Sequence, residues 1–521
     1  MTDKLITETK EKILGDMDTE EFKKYGHRII DWICDYLKTI EQYPVLSQVK
    51  PGDIKNNLPA SIPKISENME KIFNDFEKII IPGITHWNHP DFFAYFSNTG
   101  SMPGILGELL TSALNVNGML WKTSPSLTEL EEVTLSWLRQ MIGLKETFFG
   151  IIYDTASISS MHAIAAARET LNLEIKEEGM AGRKNLLPLR LYTSSEAHSS
   201  IEKAAITLGI GQKNLRKVAC DTALQMDTKA LVNLIEEDIK EGCIPFCVVS
   251  TVGTTGTTSI DPVGLIAPIC KKYKMWHHVD AAYAGSAAIV PEMKHITDGW
   301  NDADSIVINP HKWLFTPVDL SVLYCKKPEV LKSAFSLVPE YLKTSNDSEV
   351  TNLMDYGIQL GRRFRALKFW IVMRYFGEDG LVARIREHIN LAKMLRSWMD
   401  KSTDFHALAA PFSTVCFRYY PKELKDEVEA GLKPASTTKE KEKIIESYLN
   451  DVNKEIMNTI NATGNIFISH TVVQNRIVLR LCIGNIRTQE KHVREAWEIL
   501  QKFAKEIDQK MRKSLNLLNT P

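Results

Sequence analysis

The chain has 521 residues, enough for one large core and at least one further lobe, because single hydrophobic cores stop growing at roughly 250 to 300 residues. Its 63 basic and 65 acidic side chains give a formal net charge of -2 with no long run of either sign, so no nucleic acid and no anionic membrane surface is expected as a partner. No stretch is apolar for the roughly 20 residues a membrane helix needs, and the opening MTDKLITETKEKILGDMDTEEFKK lacks the apolar centre of a signal peptide.

Along the chain, HRIIDWICDYLKTI predicts a helix that carries Ile29, Trp32 and Leu37 among further apolar residues around much of its circumference. Such a helix needs cover, and residues 1–100 are read as a helical segment packed on a partner subunit. In SLTE, Ser126 and Glu129 have the spacing of a capping box ahead of Leu130, Val133, Trp137 and Met141. The alanine-rich SSMHAIAAARETL predicts a helix able to lie close to a sheet.

From there the pattern changes. LRLYTSS, IPFCVVSTVG (244–253), MWHHVD (275–280), SIVIN (305–309) and DLSVLYC (319–325) are short β-rich runs. Helical patterns such as IEKAAITLGI and DPVGLIAPICKKY separate them. Nearly continuous apolar strands alternating with helices predict a mostly parallel sheet covered on both faces, an α/β domain assigned to residues 101–377. LGRRFRALKFWIVMRYFG (360–377) reads as one long bridging helix. Beyond it, the strands TVCFRYY and NRIVLRLCI, further helices and an exposed loop at 431–442 make a smaller α+β domain at 378–521. The eight cysteines are scattered, and the pair in CIPFC has no second pair to match it. A reduced, cytoplasmic protein without a metal site is the expectation.

Four pieces fall at the ends of predicted strands, where open α/β sheets bind ligands: DTAS (154–157), SSEAHSS (194–200), HHVDAAYAG (277–285) and NPHKW (309–313). Asp280 closes an apolar strand and needs either a backbone amide or a protonated heterocyclic nitrogen as partner. His198, before Ser199 and Ser200, suits a structural cap or a ring contact. Thr155 and Ser157 open a helix whose free amides could hold a phosphate or simply be capped. Lys312 makes the stronger demand. An ammonium inside a domain is costly unless it is paired or chemically altered, and condensation with an aldehyde would alter it. Pyridoxal phosphate supplies that aldehyde, together with a phosphate, a ring nitrogen and a flat face.

These motifs, with HPDFFAYF, SPSLTELE, STVGTTG, PEYLK and VLRLCI in order along nearly the whole chain, resemble the pyridoxal-phosphate-dependent group II amino-acid decarboxylases, in particular the aromatic-L-amino-acid decarboxylase family. The resemblance implies the fold type I architecture of PLP-dependent transferases and decarboxylation of tryptophan, phenylalanine, tyrosine or dihydroxyphenylalanine to the amine. It implies the cofactor pyridoxal 5'-phosphate and a homodimer with active sites at its interface. By position, Lys312 matches the lysine that carries the cofactor, Asp280 the partner of its ring nitrogen, Ala282 the small residue under the ring and His198 the histidine on the opposite face. Thr251 matches a threonine near the ring oxygen and the departing carboxylate. Ala156, Ser157 and Asn309 match phosphate contacts, His311 a residue of the cofactor site, and Tyr341 the tyrosine of a catalytic loop, the expected proton donor.

Two departures from the family pattern concern the phosphate segment, where Asp154 stands in place of a glycine and Ile158 in place of a glutamate. Asp154 is expected to turn away or to cap a neighbouring amide. In the substrate slot, Trp87, Tyr95 and Phe96 keep the aromatic wall. Ser97 and Asn98 replace proline and threonine, Asn117 and Met119 replace isoleucine and phenylalanine, and Gly361 matches a position where glycine accompanies indolic substrates. Two rival activities remain, an aromatic aldehyde synthase, whose loop tyrosine is replaced by phenylalanine, and an aminotransferase. The latter would use an arginine such as Arg480, otherwise read as a strand residue in a structural salt bridge. A silent binding protein has no use for Lys312, Asp280, His198 and Tyr341 together.

Overall fold

The computed structural model describes residues 15–337, 349–425 and 438–514. Seven strands, β1 (Phe149–Tyr153), β2 (Leu189–Ser194), β3 (Leu215–Val218), β4 (Ile244–Thr251), β5 (Trp276–Asp280), β6 (Ser305–Ile308) and β7 (Ser321–Cys325), form one sheet in the order β1-β7-β6-β5-β4-β2-β3. From β3 to β6 the neighbours are parallel, while β7 runs antiparallel to both β6 and β1. Every residue of β5, β6 and β7 is buried, as expected for strands covered on both faces. The mostly parallel sheet predicted from the apolar runs is therefore present. The antiparallel direction of β7 was not visible in the pattern, because the twelve residues 309–320 that connect it to β6 are at the lower limit for a crossover and leave either direction open.

A second sheet, in the order β10-β11-β9-β8, consists of β8 (Phe405–Ala409), β9 (Thr414–Tyr419), β10 (Ser469–Val473) and β11 (Arg476–Cys482), antiparallel throughout. It packs with the helices Thr438–Ala462 and Glu490–Ser514 around its own core, which includes Phe417, Leu449, Leu479 and Leu500. Residues 91–94 are stitched to this sheet: Phe93 N donates to Phe467 O at 2.8 Å and Cys482 N to Phe93 O at 2.9 Å. Phe96, two residues after Ala94, thereby lies between Tyr283 of the large domain and Arg480 of β11.

Three local expectations are corrected. The helix expected after SLTE starts earlier, at Pro125, with Ser124 as its N-cap. Proline suits the first helical position because its missing N–H is not needed there. Glu129 then accepts from Trp121 Nε1 at 2.8 Å in place of capping. The bridging helix begins at Arg365 and runs to Asp400, broken at Gly377 with φ 65°. That left-handed backbone is one glycine adopts without strain. Finally, the helix Thr438–Ala462 already occupies part of the loop expected at 431–442, and the rest of that loop lies outside the described residues, as does Tyr341.

Candidate active site

Three parallel strands end side by side, with Thr251 of β4 paired to Asp280 of β5 and Asp280 to Val307 of β6. Directly after β6, Asn309 caps the one-turn helix Pro310–Trp313. Trp313 is fully buried, stacks on Tyr283 with ring centres 4.8 Å apart, and donates from Nε1 to His388 Nδ1 at 2.9 Å. With its neighbour pinned in this way, Lys312 is held at a cavity of about 240 Å³. That cavity is also lined by Phe96, Ala156, Ser157, His198, Thr251, Asp280, Ala282, Asn309 and His311, ten of the predicted positions when Lys312 is included.

The Lys312 amine forms no ion pair or hydrogen bond among the described residues, and its Nζ lies 5.2 Å from the centre of the Phe96 ring. Desolvation pushes its ammonium below the ordinary lysine range; the Asp280 charge opposes this and Arg480 adds to it. Such a lysine is more readily a free amine, the form that attacks an aldehyde. Asp280 is buried, and its Oδ1 accepts from Ala282 N at 3.1 Å. Thr251 Oγ1 and Asn309 Oδ1 are buried without hydrogen-bond partners among the described residues. Unmatched polar atoms around a cavity call for a polar ligand.

The two histidines have assignable tautomers. His198 Nδ1 accepts from Ser200 N at 3.1 Å, capping the helix Ser199–Thr207, so in the neutral ring the proton sits on Nε2. Burial lowers its pKa; Asp280 acts in the opposite sense, and Lys312 and Lys203 lower it further. His311 Nδ1 accepts from Leu320 N at 2.9 Å, and burial pushes this ring down to about 3. It too is neutral, with its proton on Nε2. His311 thus ties β7 to the lysine turn.

On the opposite side of the cavity the helix Ala156–Glu169 begins, with Thr155 as N-cap and no side-chain cap. Its first amides have no intrahelical acceptor and favour an anion. Asp154 Oδ1 accepts from Thr155 N at 2.6 Å, and Ile158 packs against the main core.

The remaining predicted positions among the described residues lie elsewhere in the single chain. Trp87 and Tyr95 stack with ring centres 5.8 Å apart, beside Phe92 and Phe467. They neighbour Phe96 in sequence, but neither they nor Asn98 line the Lys312 cavity. Asn117, Met119 and Gly361 form a separate patch: Asn117 Oδ1 accepts from Arg362 N at 3.0 Å, and a Cβ on Gly361 would come within 3.7 Å of Asn117 Nδ2. Met119 packs there with Leu120 and Met354.

Arg480 departs from its expected salt bridge. It is buried on β11, donates from Nη1 to Ala94 O at 2.9 Å, and leaves Nε and Nη2 buried without partners among the described residues. Its guanidinium lies 4.6 Å from the centre of the Phe96 ring. A lone arginine in VLRLCI signalled burial, but only tertiary structure reveals that no carboxylate among the described residues pairs with it. Tyr283 was also missed as a site element; it stacks on Phe96 with ring centres 3.8 Å apart and forms the floor beneath that ring.

A reactive amine, a buried carboxylate, a helix start and unmatched polar atoms around one cavity fit pyridoxal phosphate. With the strand-end position of that cavity they define a fold type I PLP enzyme. The model of the pyridoxal-dependent decarboxylase conserved domain matches residues 51–420. A tyrosine decarboxylase of Papaver somniferum is 38% identical over 509 residues, covering 94% of this chain and 96% of its own. A phenylacetaldehyde synthase of a Rosa hybrid cultivar is 39% identical over 505 residues, covering 94% and 95%. The solved structure of Oryza sativa TDC with PLP and tryptamine superposes with a TM-score of 0.87 at 36% identity, covering 95% of this chain and 99% of that one. The chain belongs to the pyridoxal-dependent decarboxylases, within the aromatic-L-amino-acid decarboxylase family of group II PLP carboxy-lyases.

Proposed function

We propose that this protein decarboxylates an aromatic L-amino acid, tryptophan, phenylalanine, tyrosine or dihydroxyphenylalanine, to the amine and carbon dioxide. The observation that carries the reading is Lys312, an amine without an ion partner, held in one cavity with Asp280 and an anion-binding helix start. Bound pyridoxal phosphate supplies an aldehyde for amines and a ring that accepts the electrons left on the α-carbon. Lys312 would hold that aldehyde and Asp280 would pair with the protonated ring nitrogen, while Ala282 and His198 would pack against the ring. Thr251 faces the ring oxygen and the departing carboxylate, while Ala156, Ser157 and Asn309 hold the phosphate and His311 fixes the lysine turn.

Arg480 keeps the cavity positive, which favours the amine form of Lys312 and draws the substrate carboxylate. The proton returned to the α-carbon comes from Tyr341, with the Nε2–H of His198 orienting the donor. Phe96 contacts the substrate ring, and Trp87, Tyr95, Asn98, Asn117, Met119 and Gly361 complete the slot across the interface of a homodimer. Support for that dimer comes from the helix Met102–Leu114, which leaves Met102, Leu106, Leu109, Leu110 and Leu114 about half exposed along one stripe. No helix among the described residues is long and apolar enough to cross a membrane, and a cytoplasmic location completes the reading. So does a division into an N-terminal helical segment (1–100), a large domain (101–377) and a small domain (378–521), with the backbone break at Gly377 supporting the second boundary.

The likeness to a phenylacetaldehyde synthase makes oxidative release of an aldehyde the second reading. Tyr341 argues against it. Offering the four aromatic amino acids and glutamate together, and following amine, ammonia and peroxide, separates these activities. Amine without peroxide from an aromatic substrate supports decarboxylation; preference for glutamate overturns the aromatic slot.

A further inference from the structure

The phosphate end of the cavity contains an element that works against an anion. Thr155 and Ser157 are both exposed at the cavity rim, where a helix start offers amides to a ligand. Both protons of Thr155, however, point to Asp154: its N–H donates to Asp154 Oδ1 at 2.6 Å and its hydroxyl donates to the same oxygen at 3.2 Å. A hydroxyl that has given away its only proton presents lone pairs to anything else it meets. Two donors that a phosphate could have used are thus withdrawn, and a carboxylate takes a place beside the anion. Arg365 does not cancel this charge. Arg365 feels Asp154 at longer range, but it is already paired with both oxygens of Asp319, at 2.9 and 3.2 Å.

We propose that Asp154 lowers the affinity of this site for the phosphate group, so that occupancy of the enzyme follows the supply of free cofactor. The inference rests on the cofactor reading above. It assigns Asp154 a positioning role through Thr155, since nothing places its carboxylate against the reacting atoms. The effect must pass through the phosphate, which makes pyridoxal, the same ring and aldehyde without phosphate, the natural control.

The test is a titration of dialysed wild-type protein, Asp154→Asn and Asp154→Gly with pyridoxal phosphate and, separately, with pyridoxal. Binding is followed by the visible absorbance of the bound ring and by quenching of tryptophan fluorescence. Asparagine removes the charge while keeping an acceptor for Thr155 N–H; glycine also frees both donors. The Kd for pyridoxal phosphate is expected to tighten about tenfold, ~1.4 kcal/mol, in the asparagine variant and further in the glycine variant, with the Kd for pyridoxal unchanged. Thermal unfolding without cofactor reports whether each variant is folded. Equal or weaker binding of pyridoxal phosphate by the folded asparagine variant overturns the proposal, as does an equal gain for pyridoxal. Failure of wild-type protein to bind pyridoxal phosphate at all would instead overturn the cofactor reading itself.

Discussion

Lys312 and Lys368 stand in opposite electrostatic situations within the same molecule. Lys368 is fully buried on the helix Arg365–Asp400, and its ammonium is ion-paired with Glu108. Desolvation lowers its pKa, and Glu108 works to restore the charge. Lys312 keeps partial exposure to its cavity, has no such partner, and faces the additional positive charge of Arg480. The contrast teaches that burial alone does not mark a reactive lysine. In the proposed reading, a structural lysine is ion-paired with a carboxylate, whereas Lys312 only feels Asp280 without bonding to it, which leaves its nitrogen free to bond elsewhere.

The comparison is broken most sharply by exchanging the consequences. Lys312→Ala should abolish turnover and the visible band of bound cofactor while leaving the thermal unfolding of cofactor-free protein nearly unchanged. Lys368→Ala should do the reverse, costing on the order of 2 kcal/mol of stability through the lost pair and the space left in the core, although Glu108 keeps Arg363 as partner, and retaining the band; chemical denaturation measures this. Asp280→Asn should lower kcat by a factor on the order of 10² to 10³ with smaller effects on folding, read from steady-state kinetics beside a melting curve.

A further prediction sharpens the part played by Arg480. Arg480→Ala removes a positive charge that depresses Lys312, so the amine form should require higher pH. The rate of pyridoxal phosphate capture against pH should shift to the alkaline side, with a loss of about tenfold at neutral pH, the factor for ~1.4 kcal/mol. An unchanged profile would mean that the guanidinium only fills space beside Phe96.

A further effect concerns the whole interior. Burial pushes His162, His277 and His311 down to about 3, and His278 and His388 to about 4. Their unfolded value is about 6.5, so between these limits the unfolded chain binds more protons. Stability from these rings is complete above about pH 6.5 and is lost as pH falls toward the folded values. Melting temperature should therefore fall from pH 7 to pH 5; a higher value at pH 5 would contradict the burial of these rings.

Much of this arrangement was legible before any coordinates. Strands β4 to β7 declared themselves because strands buried on both faces need apolar residues at nearly every position. The strand β3 did not, since LRKV buries only its two ends, and β10, SHTVV, buries only Val473. Lys312 and Asp280 were visible because charges in apolar surroundings demand an explanation. The solitary state of Arg480 was not, because an ion pair can be supplied by any distant element. Asn117 and Gly361 are 244 positions apart in sequence and meet in space, yet a single chain leaves their patch away from the Lys312 cavity. Assembly with a second subunit is what the proposal requires to complete the slot.

The central claim is that Lys312, and no other lysine, carries the cofactor. Wild-type and Lys312→Ala proteins are incubated with pyridoxal phosphate, reduced with borohydride, digested and mapped by mass spectrometry. The account predicts the reduced cofactor on the peptide containing NPHKW in the wild type and no stoichiometric label in the variant. Stoichiometric label on another lysine, or undiminished labelling of Lys312→Ala, would contradict it.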